Sequence, residues 1–293
     1  TLQEVEAVKL DLARTPKDLS DVDAELAKVV ATGGIKDNDP KDDVIATTHK
    51  PEGVAPVGEL KPSQSSMNIK KAMAFVLNML WDGNQELNAG GDLGAFISKD
   101  NFIMDGHHRW VATAMINPDM SMGGYRVDFP GEQLVSILNT MTKGLYGEME
   151  GKEATGGFEQ FKPAPMKKQL MEYLNAGVWG KMTPEDVTAV LQTFTAKEGE
   201  PPKQGEDLID AAVLKMASNL EKVTFVTPPW ASSREEMPVI DEPNVPLAAD
   251  SLNAGEVDWS TPDTSPVGVA AAANRKDEII PESMRRKWQK LIK

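Results

Sequence analysis

One stretch constrains this chain's fold more than any other: Phe102-Ile103-Met104-Asp105-Gly106-His107-His108-Arg109-Trp110-Val111-Ala112. A short apolar run ends on Asp105, a glycine follows, and a segment of helical character starts at once. That order reads as strand, tight turn and helix, the unit of a small sheet-and-helix domain. The start of a helix presents backbone N–H groups and the positive end of the helix dipole, which together form a ready anion site. Gly106 gives a ligand close access to the backbone. Arg109 has the fork geometry to grip a phosphate through two parallel hydrogen bonds. His107 and His108 add donors, or charge when protonated. Two of the chain's 3 histidines fall in this turn. The residues alone leave other readings open. Asp105 serves equally well as a helix cap and Gly106 as a turn residue, with the histidines on the surface. A metal held by Asp105, His107 and His108 is the weaker reading, because adjacent helical side chains point about 100° apart and rarely share one ion.

Around this turn the chain divides by composition and periodicity. Residues 1–32 read as two N-terminal helices, the second opened by Thr15-Pro16-Lys17-Asp18 and stopped by Gly33-Gly34. Residues 33–58, rich in Gly, Pro and Asp, read as a linker or extended arm containing His49. Residues 59–143 form the central domain. Helices are expected at 67–81, 107–115 and 132–141, and strands at 93–97, 102–104 and 125–129. Residues 144–226 read as a mainly helical accessory region, with a loop to 165 and helices at 166–175, 183–195 and 206–221. Lys222 to Val226 suits an edge strand. Residues 227–280, rich in Pro, Ser, Asp and Ala, read as an extended tail. Residues 281–293 form a basic C-terminal helix with Met284, Trp288 and Leu291 on one stripe beside Arg285, Arg286 and Lys287.

Strand, Asp105-Gly106-His107-His108-Arg109 and helix resemble the signature turn of the ParB/sulfiredoxin superfamily. Leu60-Lys61-Pro62-Ser63-Gln64 before a helix resembles the opening of such domains, so the likeness runs from residue 57 to residue 142. It implies a small sheet-and-helix domain; with the accessory helical region and long extended arms read from composition and spacing, the fold class is α+β. It also implies phosphate or nucleotide binding (ATP, ADP or CTP) by Asp105, Gly106, His107, His108 and Arg109. The superfamily holds several chemistries. In sulfiredoxins a cysteine stands where this chain has His107, which excludes that reductase chemistry. In chromosome-partitioning ParB proteins the turn is Gly-Glu-Arg-Arg; Gly106, Arg109 and Ala112 fall in register, but the later Glu-Asn-x-x-Arg stretch has no counterpart. Free-serine kinases of the superfamily carry the Asp-Gly-His-His-Arg form and take a catalytic glutamate from the early segment. Its counterpart here is Gln64, which is no base at neutral pH; Glu59 lies nearby, out of register.

Charge and composition narrow the function further. The chain of 293 residues has a formal net charge of −14, which opposes broad contact with bare nucleic acid. A local contact through Arg285, Arg286 and Lys287 stays open. The absence of cysteine removes disulfides, thiolate catalysis and Cys-based zinc sites. No apolar run reaches the length of a membrane span. The expectation is therefore a structural or assembly protein, such as a bacteriophage virion component. It is built around a ParB/sulfiredoxin-like domain that retains phosphate or nucleotide binding, with other protein subunits as partners, in the virion or the host cytoplasm. Thr1 in first position fits proteolytic maturation. The alternatives are a nucleotide-dependent phosphotransferase and a DNA-partitioning protein.

Overall fold

A computed structural model describes residues 44–83, 88–141, 156–231, 234, 237, 240 and 245–255. The described chain is mixed α+β, built on one five-stranded sheet in the order β1-β5-β3-β4-β2. The strands are β1 (Thr47–Pro56), β2 (Lys61–Pro62), β3 (Asp92–Ser98), β4 (Phe102–Asp105) and β5 (Ser121–Val127). The sheet is mixed: β1 with β5 and β3 with β4 are antiparallel, while β3 with β5 and β2 with β4 are parallel.

The helices are α1 (Ile69–Leu80), α2 (His107–Ile116), α3 (Gly131–Met141), α4 (Pro163–Ala176), α5 (Pro184–Thr195), α6 (Gly205–Leu220) and α7 (Val245–Ala254). Strand alternation sorts them into two layers. Leu93, Ala95 and Ile97 point into a core shared with α1, α2 and α4 to α6. Phe96, Met104 and Val127 point the other way, into a core closed by α3 and α7. The helices of 163–220 therefore share the sheet's core rather than standing apart from it. Helix α6 also finishes α2: the Asn219 amide donates to the carbonyls of Met115 and Ile116 at 2.8 and 2.9 Å. These are among the acceptors that a helix C-terminus leaves without partners. Trp110, fully buried on α2, donates its indole N–H to the carbonyl of Val57 at 2.9 Å.

Three expectations from the sequence are corrected. Residues 47–56 are not linker but the edge strand β1, paired along β5. The strand lacks apolar alternation because its outer residues face solvent. Pro51 and Gly53 sit in the irregular stretch between Lys50 and Ala55, as an edge bulge allows. Within the expected tail, 245–254 form α7, burying Val245, Ala248, Ala249 and Leu252 at helical spacing. The two segments hold each other: Asn253 exchanges side-chain hydrogen bonds of 2.7 Å with the N–H and carbonyl of Thr47. Both arms are thus anchored within their own chain over these residues. Finally, Lys222 to Val226 adds no strand. Phe225 instead packs among Trp110, Phe158 and Phe161, and this aromatic cluster fixes the segment. The expected helices in 1–32 and 281–293, and most of the expected loop from 144, lie outside the described residues.

Candidate anion site at the start of helix α2

Strand β4 ends on Asp105, and Gly106 turns the chain into α2. Gly106 has φ +98°, in the left-handed region, and a Cβ there would lie 3.1 Å from both Ala95 Cβ and Met122 Cε. The left-handed backbone favours glycine, and a Cβ would crowd both neighbours. It is also the N-cap residue, so Asp105 does not cap the helix, and no side chain does. Helix geometry leaves the N–H groups of His107, His108 and Arg109 without intrahelical acceptors. The Asp105 carboxylate pairs instead with the Arg109 guanidinium at 3.1 Å, one turn along.

The two histidines turn inward, to the loop that precedes α1. His107 Nε2 accepts the backbone N–H of Ser63 at 3.2 Å, and His108 Nε2 accepts that of Asn68 at 3.0 Å. A nitrogen that accepts is unprotonated, so each neutral ring carries its proton on Nδ1. Burial lowers His107 to a pKa of about 3. His108 falls to about 2 through burial and then through the positive charges of Arg234, Lys71, His107 and Arg109. Both rings are neutral at pH 7 and clamp the loop 63–68 against the start of α2. They add no charge to the turn. Ser63 strengthens the clamp by donating its hydroxyl to the carbonyl of Ile103 at 2.5 Å.

The parallel pairing of Lys61 with Phe102 and of Pro62 with Ile103 sets the level of each early residue along β4. Continuing in step brings Gln64 level with Asp105, at the turn. Gln64 is buried, and its side-chain amide donates to the carbonyl of Ser66. Glu59 precedes the pairing, is exposed, and follows Gly58, whose N–H bonds to the carbonyl of Pro118 beyond the far end of α2. Glu59 is therefore at the opposite end of the helix from the turn. His49 is three strands across the sheet from Asp105, paired with Asp92 at 2.6 Å and stacked on Tyr125.

Reasoning from the sequence missed four participants. Ser63 and Asn68 supply the N–H groups that fix the histidines. Lys71, in the first turn of α1, and Arg234 add positive charge around His108. Arg234 reaches the site from a segment that returns across it, its N–H lying 3.4 Å from Ser66 Oγ, 168 residues away in sequence. No local spacing signals such a contact, whereas Lys71 falls inside the helix expected at 67–81. Among the described residues no group of three or more His, Asp or Glu side chains is placed to hold a metal ion. No helix among them is long and apolar enough to cross a membrane. No family model, no curated protein and no solved structure matches the chain.

Proposed function

We propose that this is a ParB/sulfiredoxin-like domain whose Asp105–Arg109 turn binds a phosphate group, free or on a nucleotide, without transferring it. One observation carries the reading. The start of α2 carries no side-chain cap, and Arg109 in its first turn, with Lys71 and Arg234, opposes a proton on His108. In a chain of net charge −14, cations gathered at an uncapped helix start suit an anion. The uncapped N–H groups of α2 add directional donors.

The absence of transfer rests on Gln64, which holds the level along β4 where a catalytic carboxylate would be expected. A bound phosphate then serves as a tie between the turn and the segments packed on it. That role suits a structural component of a larger assembly, such as a phage particle, rather than a kinase. Anchoring of 47–56 and 245–254 within the chain removes one support for this assembly role, which now rests on the missing base and the acidic, proline-rich remainder.

Calorimetry on the full chain with inorganic phosphate, ADP, ATP and CTP tests the reading. Binding by the wild type, weakened about tenfold or more in Arg109→Ala, is expected for a lost charge-assisted pair. Incubation with ATP and free serine should yield no phosphoserine. Wild-type turnover would overturn the non-transferring part, and undiminished binding by Arg109→Ala would remove the turn as the site.

A further inference from the structure

Strand β1 is the outermost strand of the sheet, so one side of its backbone has no neighbouring strand. Such a row of N–H and C=O groups is a template for pairing with another chain. The hydrogen bond from the Asp128 N–H to the Ala46 carbonyl fixes which groups lie on that side. Ala46, Thr48 and Lys50 turn their peptide groups toward β5, and Ile45, Thr47 and His49 turn theirs outward. The outward row is closed group by group. The Ile45 N–H donates to the carbonyl of Leu252 at 3.0 Å, one of the acceptors that the end of α7 leaves over. The Ile45 carbonyl accepts the hydroxyl of Thr47 at 3.0 Å. The Thr47 N–H and carbonyl meet Oδ1 and Nδ2 of Asn253, both at 2.7 Å. Pro51 has no N–H to offer. Between Ile45 and Pro51, only His49 keeps an outward N–H and carbonyl without a partner among the described residues.

Asn253 is exposed, while Val245, Ala248, Ala249 and Leu252 form the packing face of α7. Its contribution is therefore the amide. That group presents to Thr47 the acceptor and the donor that the backbone of a neighbouring strand would present. We infer that Asn253 is a guard on the β1 edge, occupying the place where β1 of a second copy of this chain would add. Register sets the partner. A two-fold antiparallel pairing centred on Thr48 puts Thr47 against the partner's His49, and each such pair exchanges both hydrogen bonds. This pairing uses the outward groups of Thr47 and His49, and Asn253 holds those of Thr47. The guard does not depend on the phosphate site. It keeps the sheet edge closed while α7 is seated, so any assembly of copies through β1 requires that contact to be given up.

The test uses the full chain. Asn253→Ala, His49→Pro and the double variant are compared with the wild type by sedimentation velocity over a range of concentrations. Proline at 49 removes the outward donor that pairing needs and leaves the ladder to β5 intact. Asn253→Ala should reach about twice the wild-type mass as concentration rises. His49→Pro should match the wild type, and the double variant should return to it. Hydrogen exchange adds a readout that needs no variant. In the wild type the Thr47 N–H should be protected, and the His49 N–H should exchange about tenfold faster or more. In associated Asn253→Ala the His49 N–H should become protected. Folded Asn253→Ala that keeps the wild-type mass at every concentration would overturn the guard and leave Asn253 as a tie between α7 and β1. Doubling that persists in the double variant would place the association elsewhere and overturn it too. A wild-type His49 N–H protected as strongly as that of Thr47 would show the edge already covered there, and would overturn the inference without any variant.

Discussion

Acid should destabilise this protein well above the range in which carboxylates titrate. The perturbation is a change of pH from 7.5 to 5, and the responding groups are His107 and His108. Both have folded pKa values far below the ordinary 6.5, at about 3 and about 2. In the unfolded chain each takes up a proton as pH falls through 6.5, while in the folded chain neither does. Between pH 6.5 and about 3 the unfolded state therefore binds more protons, and stability rises with pH throughout that window. The stabilisation is fully present above 6.5 and is lost as the solution is acidified below it. Each unit below 6.5 costs up to about 1.4 kcal/mol per histidine, so pH 5 removes roughly 2 kcal/mol for each ring. His107, only 4% exposed, carries the firmer half of that loss. Urea denaturation at half-unit steps of pH measures it. His108→Gln keeps an acceptor for the Asn68 N–H and should remove about half the slope; His107→Asn should remove a similar share. A wild-type stability that is flat between pH 7.5 and 5.5, or an undiminished slope in both variants, would refute the neutral-clamp description of these histidines.

Two structural predictions follow from packing and hydrogen bonding. Gly106→Ala places a Cβ 3.1 Å from Ala95 and Met122 at a left-handed φ, and should cost about 2–4 kcal/mol in chemical denaturation. Asn219→Ala removes two hydrogen bonds to the C-terminal carbonyls of α2 and should cost about 1–3 kcal/mol, with faster amide exchange at that helix end.

Much of the central architecture is legible in the residues. Apolar spacing locates α1, α2 and α4 to α6 to within a few residues, because each buries one continuous face. Thr183-Pro184-Glu185-Asp186 places cap, proline and acidic residues in the favoured order before α5, and the reciprocal hydrogen bonds of a capping box are present. What escapes the sequence has definite causes. Strand β1 is an edge strand whose pairing partner, not its side-chain pattern, makes it a strand. Helix α7 has the right apolar spacing but sits in a proline- and serine-rich surrounding whose composition points to extended chain. At the site, the turn and its glycine are legible because local backbone chemistry dictates them. The inward rotation of both histidines is not, since it depends on N–H groups of Ser63 and Asn68 brought in by the β2–β4 pairing. Arg234 is the extreme case, a partner defined only by how a distant segment returns over the fold.

Backbone amide shifts of the isotope-labelled full chain during titration with inorganic phosphate address the anion site most directly. The N–H groups of His107, His108 and Arg109 should move together and saturate along one binding curve. Small, unsaturating shifts scattered over surface lysines, or a saturable response elsewhere with the amides of 107–109 unmoved, would contradict a phosphate site at the start of α2.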